Sequence, residues 1–568
     1  MKTRLLIVPC LSTILVWLVT VVPQTAVSAP TSSASITQPD MGMTAVLTNT
    51  LYLPIIQKPA IDLAISWMEV TQASQTTSNS VPMVEHRPTT ARVYAYVAQG
   101  TSAVNGITIT LSAARDGSAL GTLSVISTTI PTGVIRSDYG NSANFQLPAN
   151  WLTGTVTMTA TIHTDSSLGE PALTNNVVTE TLTFNAVPAL DLKLVPINYT
   201  HLPTGAYFPG PTEDNESDWL MRGYPLHAVN VSFRDPLEFQ GDLSQAGEWN
   251  RLLGVMASIK NGDGSPAGQV YYGVIPTSNS NGDSYPRAWG GYAAIGWVRA
   301  GVGIEGYPQL AAHEIGHMFG RYHVDCGNPA GPDPNFPYVN GSIGQYGLDV
   351  GFSQVYSPSI TKDLMSYCYP QWVSDYTYTA LYHDQRSKGL LTREIAPGLL
   401  IRVNFDNPAR PFIEPVYALT TGLTPLPENS EFTLELVSND GRLLATYPLP
   451  VFTAEEPGLF MRAANAVLPA PDEPVAEIRL VGNGRILARR TLQTGEKPGF
   501  AITENAWGRP ELVWSETAPA LVRIRQPGSD GWTTLGIDTV GGRLPIAARH
   551  LAAGSQIEVI PADTITSD

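Results

Sequence analysis

The chain has 568 residues, which is more than one hydrophobic core can organise, so three or four domains are expected. Hydrophobic residues make up 43% and charged residues only 14%, and the 50 Gly and 46 Pro indicate many turns between short strands. A formal net charge of −16 argues against nucleic acid as a partner, because such a surface repels phosphate backbones.

The first 29 residues have the pattern of an export signal. Two basic residues precede an apolar run from Leu5 to Val22, and a small-residue cleavage site ends at Ala29. An uncleaved membrane anchor is the alternative, although Pro9 and Pro23 interrupt the run. We therefore expect a secreted protein with residues 1–29 as its signal peptide.

A linker and a β-rich module are predicted next. Residues 30–58 are rich in Ser, Thr, Ala and Pro, which is typical of an extended spacer. Within 59–188 apolar residues alternate with threonines, most clearly from Val156 to Ile162, and this period of two predicts half-buried strands. The stretch from Glu170 to Phe184 resembles the adhesion-type immunoglobulin-like modules of secreted bacterial proteins. An immunoglobulin-like β-sandwich is therefore expected for 59–188.

Between residues 189 and 392 predicted strands alternate with helices, which favours an α/β layer. Apolar residues from Trp249 to Ile259 recur with helical period, Pro308 is placed to open a second helix, and 374–384 is helix-like. The predicted strands lie near 190–199, 227–233, 269–275 and 290–297.

From residue 393 to the end the pattern is again that of β-strands. Asn439-Asp440-Gly441 and Asn483-Gly484 each stand between alternating segments, which is a strong hairpin signal. Two sandwiches, 393–496 and 497–568, are expected, although one larger sandwich would give the same pattern. The predicted fold class is thus multidomain, with an α/β (α+β) domain between all-β sandwich domains.

The segment HEIGHMFGRYH carries the clearest chemistry. His313 and His317 are four residues apart and share one face of a helix, as two ligands of one zinc ion must. Glu314 points away from that axis and can hold a water as general base. Gly320 can adopt a positive φ, end the helix and return His323 as third ligand. Three histidines leave one coordination position open for a water that zinc activates, which marks a catalytic site.

At every fixed position this segment resembles the HExxHxxGxxH pattern of the metzincin clan of zinc endopeptidases. The resemblance implies a tight turn with a methionine beneath the metal, which DLMSYC supplies as Met365. In the astacin and serralysin branches a tyrosine two residues later can reach the zinc or the tetrahedral intermediate, so Tyr367 is expected to stabilise the oxyanion. Val324, after the third ligand, matches no branch, and the branch stays unassigned.

The clan resemblance covers roughly residues 189–390 and also implies a substrate strand. In the clan the strand before the active-site helix pairs with the substrate backbone, as in β-augmentation. Its small residues would equally suit tight packing. The residues expected to bind substrate are Gly291, Tyr292, Ala293 and Ala294.

The cysteine count supports export. Cleavage of the signal would leave only Cys326 and Cys368, and an even pair in an exported chain is a disulfide candidate. Two free buried thiols are the alternative. Because each cysteine lies three residues beyond a key residue, a bridge would join the loop of His323 to the turn of Met365.

The predicted function is a secreted zinc endopeptidase with one catalytic Zn2+ that hydrolyses peptide bonds of extracellular proteins or glycoproteins, while its β-modules contact a cell surface or matrix. The alternative is a non-catalytic extracellular adhesion protein on a metzincin scaffold, which would have no need of Glu314. A third hypothesis is that the N-terminal module is a removable inhibitory segment. Turn-like clusters at Asp263 and Asp333 suit calcium, but turns explain them better.

Overall fold

The computed structural model describes residues 60–566, except 297, 390, 506–507, 509, 516–517 and 530. The expected export signal and linker lie outside these described residues. The described part is mostly β with few helices and contains several separate β-sheets, so the multidomain, β-rich prediction is confirmed at that level. The individual domain boundaries stay a prediction.

The first segment forms two facing sheets with strand orders β1-β4-β7 and β3-β9-β8-β5-β6. Their inward residues, such as Met68, Val93 and Val156, are buried in a common core. The alternation predicted from Val156 to Ile162 is confirmed, since its apolar residues are buried while its threonines pair with threonines of the neighbouring strand at 2.9–3.0 Å. The strands are β1 (Asp62–Thr71), β2 (Ser74–Gln75), β3 (Met83–Val84), β4 (Thr90–Gln99), β5 (Val104–Arg115), β6 (Ser118–Ile130), β7 (Ala143–Gln146), β8 (Gly154–His163) and β9 (Val177–Asn185).

The middle segment is an α/β layer. Its strands are β10 (Leu190–His201), β11 (Ala206–Phe208), β12 (Val229–Phe233), β13 (Leu237–Gly241), β14 (Val270–Ile275), β15 (Gly291–Ala293) and β16 (Ala300–Ile304), followed by the short β17 (Tyr346–Asp349), β18 (Gln354–Tyr356), β19 (Lys362–Asp363) and β20 (Gln371–Trp372). Its helices are α1 (Asp218–Gly223), α2 (Ala246–Gly262), α3 (Pro308–Met318) and α4 (Asp375–Lys388). The main sheet has the order β11-β10-β14-β16-β15, in which β10, β14 and β16 are parallel and β15 is an antiparallel edge.

Helices cover both faces of this sheet because adjacent strand residues point to opposite sides. Tyr271 joins the apolar core of α2, and Tyr272 joins the core that contains α3 and α4. The strand predicted at 290–297 is wrong in length. It ends at Ala293, and Gly296 has a φ of +110° that ordinary strand geometry does not allow.

The final segment contains sheets with the orders β22-β21-β27-β26, with β23 beside β21, and β25-β24-β28-β29. Both predicted hairpin turns are confirmed, and Asn483 and Gly484 have the two positive φ values of a tight turn. The strands are β21 (Ile395–Asn404), β22 (Phe412–Ile413), β23 (Tyr417–Gly422), β24 (Phe432–Val437), β25 (Leu443–Pro448), β26 (Val451–Glu456), β27 (Leu459–Pro469), β28 (Glu477–Gly482), β29 (Arg485–Thr491), β30 (Gln493–Gly495), β31 (Phe500–Glu504), β32 (Pro510–Trp514), β33 (Ala520–Arg525), β34 (Thr533–Thr539), β35 (Arg543–Pro545), β36 (Gln556–Pro561) and β37 (Thr564–Thr566).

The first segment is joined to the α/β layer by buried polar contacts. The guanidinium of Arg87, 2% exposed, donates to the carbonyl oxygens of Leu226 and Arg222 at 2.7 Å and of Met221 at 3.0 Å. In addition β2 pairs with β17, so the two segments share a sheet. Among the described residues, no helix is long and apolar enough to cross a membrane.

Candidate metal centre

Helix α3 carries two of the three motif histidines. Pro308 stands in its first turn, where a missing N–H costs nothing, and the helix packs against β16 and β15. His313 and His317 lie one turn apart with ring centroids separated by 4.9 Å, and both are buried. The helix therefore presents two imidazoles to one side, as the spacing predicts.

The chain reverses after α3 at Gly320, which has a φ of +77°. Its N–H donates to the carbonyl of His317, and the N–H of Arg321 donates to that of Gly316. These two bonds are the pair of the Schellman motif, in which glycine occupies the left-handed position. The turn brings the ring of His323 to 4.5 Å from that of His317.

Each motif histidine donates Nδ1–H to a backbone carbonyl. The acceptors are Leu364 for His313 (2.8 Å), Arg321 for His317 (2.7 Å) and Ala330 for His323 (2.8 Å). Since a carbonyl only accepts, each neutral ring must carry its proton on Nδ1 and its lone pair on Nε2. Burial lowers the pKa of His313 to about 4 and lowers that of His317 well below its ordinary value.

The three Nε2 atoms converge. Those of His317 and His323 are 3.2 Å apart, and Nε2 of His313 is buried with no hydrogen-bond partner among the described residues. Two lone pairs held at that distance repel unless a cation lies between them. Zn–N distances of about 2.0–2.1 Å in a tetrahedral site separate neighbouring nitrogens by about this much. The donor set therefore fits a divalent ion such as zinc.

A carboxylate that the sequence did not suggest completes the cluster. Glu456, at the end of β26, places Oε1 3.5 Å from Nε2 of His323. One ligand atom from each histidine and from Glu456 lie within 4.8 Å of one another, and all four residues are buried. The structure thus contains a buried three-histidine, one-glutamate cluster that can hold a metal ion.

Glu314 lies beside the cluster against the edge strand. A Cβ added to Gly291 would come within 2.3 Å of Oε1 of Glu314, so glycine is required where the carboxylate meets β15. Its Oε2 is buried with no hydrogen-bond partner among the described residues. Burial, and then the charge of Glu456, raise the pKa of Glu314 well above its usual range. A carboxyl so placed holds a proton more readily than one in water.

The turn from Asp363 to Cys368 lies under the helix. Met365 is fully buried, and its Sδ packs so closely on Gly316 that a Cβ there would be 2.6 Å away. The buried carboxylate of Asp363 shapes the turn, accepting from the N–H groups of Met365 and Ser374.

Tyr367 follows two residues after Met365 and lines the cavity with its ring. Its hydroxyl lies 3.0 Å from Nε2 of His323 and donates a hydrogen bond to Glu456. Burial, and then Glu456, raise the pKa of this phenol, which keeps its proton.

The loop of His323 is fastened to the methionine turn in three places. The N–H of Val324 donates to the carbonyl of Met365, and that of Tyr367 to the carbonyl of Cys326. The disulfide between Cys326 and Cys368, predicted from the cysteine count, is present. The third ligand and the turn below the helix are therefore held as one piece.

A cavity of about 300 Å³ opens beside the cluster. Of the residues expected to bind substrate, Gly291 lines it, whereas Tyr292, Ala293 and Ala294 are buried in apolar clusters on either side of the sheet. Among the described residues none from 60–188 contributes to its wall. The lining residues are Trp289, Gly290, Gly291, Gln309, Leu310, His313, Glu314, Ser366, Tyr367, Tyr369, Gln371 and Glu456.

The aspartates weighed for calcium have protein partners instead. Asp263 forms an ion pair with Arg234 at 2.8 Å, and Asp333 accepts from the hydroxyl of Tyr376 and the N–H of Asn335. Their carboxylates are thus engaged in the fold itself. Neither site gives support for calcium.

Comparisons with known proteins do not place the chain in a family. No family model matches it, and no curated protein matches it significantly. Among solved structures, a CARDB domain from Pyrococcus furiosus in complex with di-metal ions is 14% identical, with 23% of this chain and 99% of that domain covered and a TM-score of 0.16. A Parabacteroides merdae β-glucuronidase is 10% identical over 88% of this chain and 74% of its own, also with a TM-score of 0.16. At these TM-scores the likenesses decide neither fold nor function.

Proposed function

We propose that this protein is a secreted zinc endopeptidase of the metzincin type, and that His313, His317 and His323 hold the ion. The observation that carries the proposal is the convergence of three Nε2 lone pairs beside an unpartnered carboxylate oxygen of Glu314 in one cavity. Resemblance to the metzincin pattern supplies the reaction type. The Cys326–Cys368 disulfide supports an oxidising, extracellular environment.

Zinc bound there would supply Lewis acidity, polarising a peptide carbonyl and lowering the pKa of water. The remaining functions fall to side chains. Glu314 lies on the cavity wall and can take a proton from the attacking water and return it to the leaving amine. Tyr367 keeps its proton and can donate to the oxygen on which negative charge develops.

The substrate would bind along the edge strand. β15 pairs with β16 on one side only, so an extended peptide can add to its other edge. Gly290 and Gly291 present backbone to the cavity there without side chains that would hold a peptide away. Recognition would then depend mostly on backbone, and the preference for side chains would come from other walls of the cleft.

The substitution Glu314→Ala tests the proposal. We expect the variant to bind zinc as the native chain does and to lose peptide hydrolysis, because the carboxylate contacts the reacting water rather than the ion. Cleavage sites on a complex protein mixture, with and without a chelator, and zinc content by mass spectrometry are the measurements. Equal cleavage by the variant would overturn the role of Glu314.

One observation favours a second function. With Glu456 the cluster offers four protein donors, and a closed four-ligand set is typical of a structural zinc site. A non-catalytic extracellular binding protein that uses zinc to hold its fold would have this arrangement. Metal-dependent thermal stability, with no cleavage of any protein by the native chain or by Glu456→Ala, would favour this second function.

A further inference from the structure

The hairpin β26–β27 of the final segment reaches into the cleft of the α/β layer. Its two strands are joined by Pro457 and Gly458, whose φ of +80° suits the second central position of a type II turn. Glu456 is the last residue before that turn and lines the cavity. The hairpin tip therefore places one carboxylate directly at the metal cluster.

The hairpin contacts the chain just beyond each end of β15. The N–H of Ile295 donates to the carbonyl of Thr453 at 2.7 Å, and the two residues form an antiparallel bridge. Four residues further along the hairpin, the carbonyl of Pro457 accepts from Nε1 of Trp289 at 3.3 Å. The hairpin thus flanks both ends of the edge where an extended peptide would add, and its tip lies across the cavity from Gly290 and Gly291.

The flanks of the hairpin are anchored in the core of the α/β layer. The apolar residues Phe452, Ala454, Leu459 and Met461 are buried with the residues of α2. The carbonyl of Ala454 also accepts from the hydroxyl of Tyr292 at 3.0 Å. Pro457 and Gly458 at the tip are exposed, as is Phe460 on the following strand. The hairpin is therefore a built-in part of the cleft, and its tip is the part that can move without undocking the rest.

The position of the Glu456 carboxylate is that of a metal ligand. Its Oε1 is 3.5 Å from Nε2 of His323, close to the separation of two ligand atoms each about 2.0–2.2 Å from one tetrahedral ion. Its Oε2 accepts a hydrogen bond from the hydroxyl of Tyr367, so the same side chain also engages the hydroxyl that would serve the substrate. The carboxylate and the three imidazoles are all buried, and one ligand atom of each lies within 4.8 Å of the others.

We propose that Glu456 is a fourth ligand of the metal ion and that the tip residues Glu456 and Pro457 cover the end of the β15 edge that faces the cavity, so that the folded chain is a latent peptidase. This inference rests on the proposed peptidase function. A peptide substrate reaches the ion only after Glu456 has left it and the tip has moved off the edge. The three histidines alone keep the ion in the open form.

The test compares Glu456→Ala and Glu456→Gln with the matched control Glu455→Gln in the full-length mature chain. Glu455 is the adjacent carboxylate of the same tip, and it extends toward Gly331 instead of the histidines. Cobalt(II) replaces zinc as a spectroscopic probe of coordination. Glutamine keeps the size of the side chain, and a thermal melt of each variant verifies folding.

We expect both Glu456 variants to change the visible spectrum of the cobalt protein and to bind cobalt at least about tenfold more weakly, since even partners of ligands commonly contribute that much. Peptide hydrolysis should rise at least about tenfold, because the open fraction in the native chain is small. Glu455→Gln should leave the spectrum, the cobalt affinity and the rate of hydrolysis unchanged. An unaltered spectrum and affinity in both Glu456 variants would refute the ligand assignment.

The remaining outcomes separate the two proposals. A changed spectrum with hydrolysis at the native rate would refute latency while the fourth ligand stands. A changed spectrum with no hydrolysis by any variant would instead refute the peptidase function. Hydrolysis that rises with the Glu456 variants, and is lost when Glu314→Ala is added, would support both.

Discussion

The hydroxyl oxygen of Tyr367 lies 3.0 Å from Nε2 of His323, and the hydroxyl donates a hydrogen bond to Glu456. The oxygen and the nitrogen therefore both turn lone pairs toward the point at which the metal ligands converge. This places the phenol within reach of any group that the metal binds.

Tyr367→Phe is expected to lower kcat about 100-fold with little change in zinc content, since loss of one oxyanion donor costs about that much. The measurement is best made beside Glu456→Ala, in which the phenol is free for substrate. Steady-state kinetics gives kcat and KM separately, and mass spectrometry gives the metal content. Loss of zinc along with activity would show that the phenol acts as a ligand, against our assignment.

Gly320→Ala should reduce stability by roughly 1–2 kcal/mol because an alanine is strained at positive φ, although a Cβ there would contact nothing within 4 Å. The change should also weaken metal binding, since the turn positions His323. Gly282→Ala is the matched control, with a φ of +80° and equally open space in an exposed loop. Thermal melts with and without zinc should show a metal-binding defect for Gly320→Ala only.

Removal of the disulfide by Cys326→Ser with Cys368→Ser should loosen the metal site more than the distant sheets. A loop of 42 residues corresponds to about 4 kcal/mol in the chain-entropy model. We expect a lower Tm and weaker zinc retention, measured by calorimetry and by dialysis against a chelator. Full zinc retention by the double variant at elevated temperature would contradict this expectation.

Chelation of the metal should lower the Tm of the native chain. An ion that binds only the folded state stabilises it by RT ln(1 + [L]/Kd), about 4 kcal/mol at a thousand times Kd. The drop on chelation should vanish in His313→Ala, which loses a ligand. His163→Ala, whose histidine bonds Thr110 on an exposed strand, is the control and should respond to chelator as the native chain does.

Acid should weaken the contact of Asp235 with His550 and Arg549 of the final segment. A hydrogen bond from His550 at 2.8 Å, and the charge of Arg549, hold the pKa of Asp235 below its ordinary value despite partial burial. Because the folded-state pKa is depressed, this contribution to stability is present above the unfolded-state pKa and is lost as the pH falls through the folded-state pKa. The Tm difference between the native chain and Asp235→Asn should therefore shrink below about pH 4. A Tm difference that stays constant down to pH 2 would refute this stabilising role of Asp235.

Local patterns predicted most of the elements around the site. The helical period from Trp249 to Ile259, the proline at 308 and the glycine at 320 each act within a few residues, and each has the expected structure. The alternation of threonines with apolar residues predicted β8 for the same reason. Such features depend on backbone geometry that a short segment fixes by itself.

Contacts between distant segments were beyond sequence reasoning. Glu456 lies 133 residues after His323, in a hairpin whose Glu455-Glu456-Pro457-Gly458 turn indicates only an acidic tip. Its place at the metal depends on how one segment docks on another, through apolar residues such as Phe452 and Met461 that look like any strand's inward face.

The buried guanidinium of Arg87 limits how far the segments of this protein can be separated, in evolution or by engineering. Three carbonyl oxygens of the α/β layer accept hydrogen bonds from that one side chain of another segment, and a chain begun at Ala189 would lack this donor. The α/β layer is thus not a unit that can be separated from the first segment without loss of these contacts. We expect the first segment to accompany the α/β layer wherever that layer occurs in a folded protein.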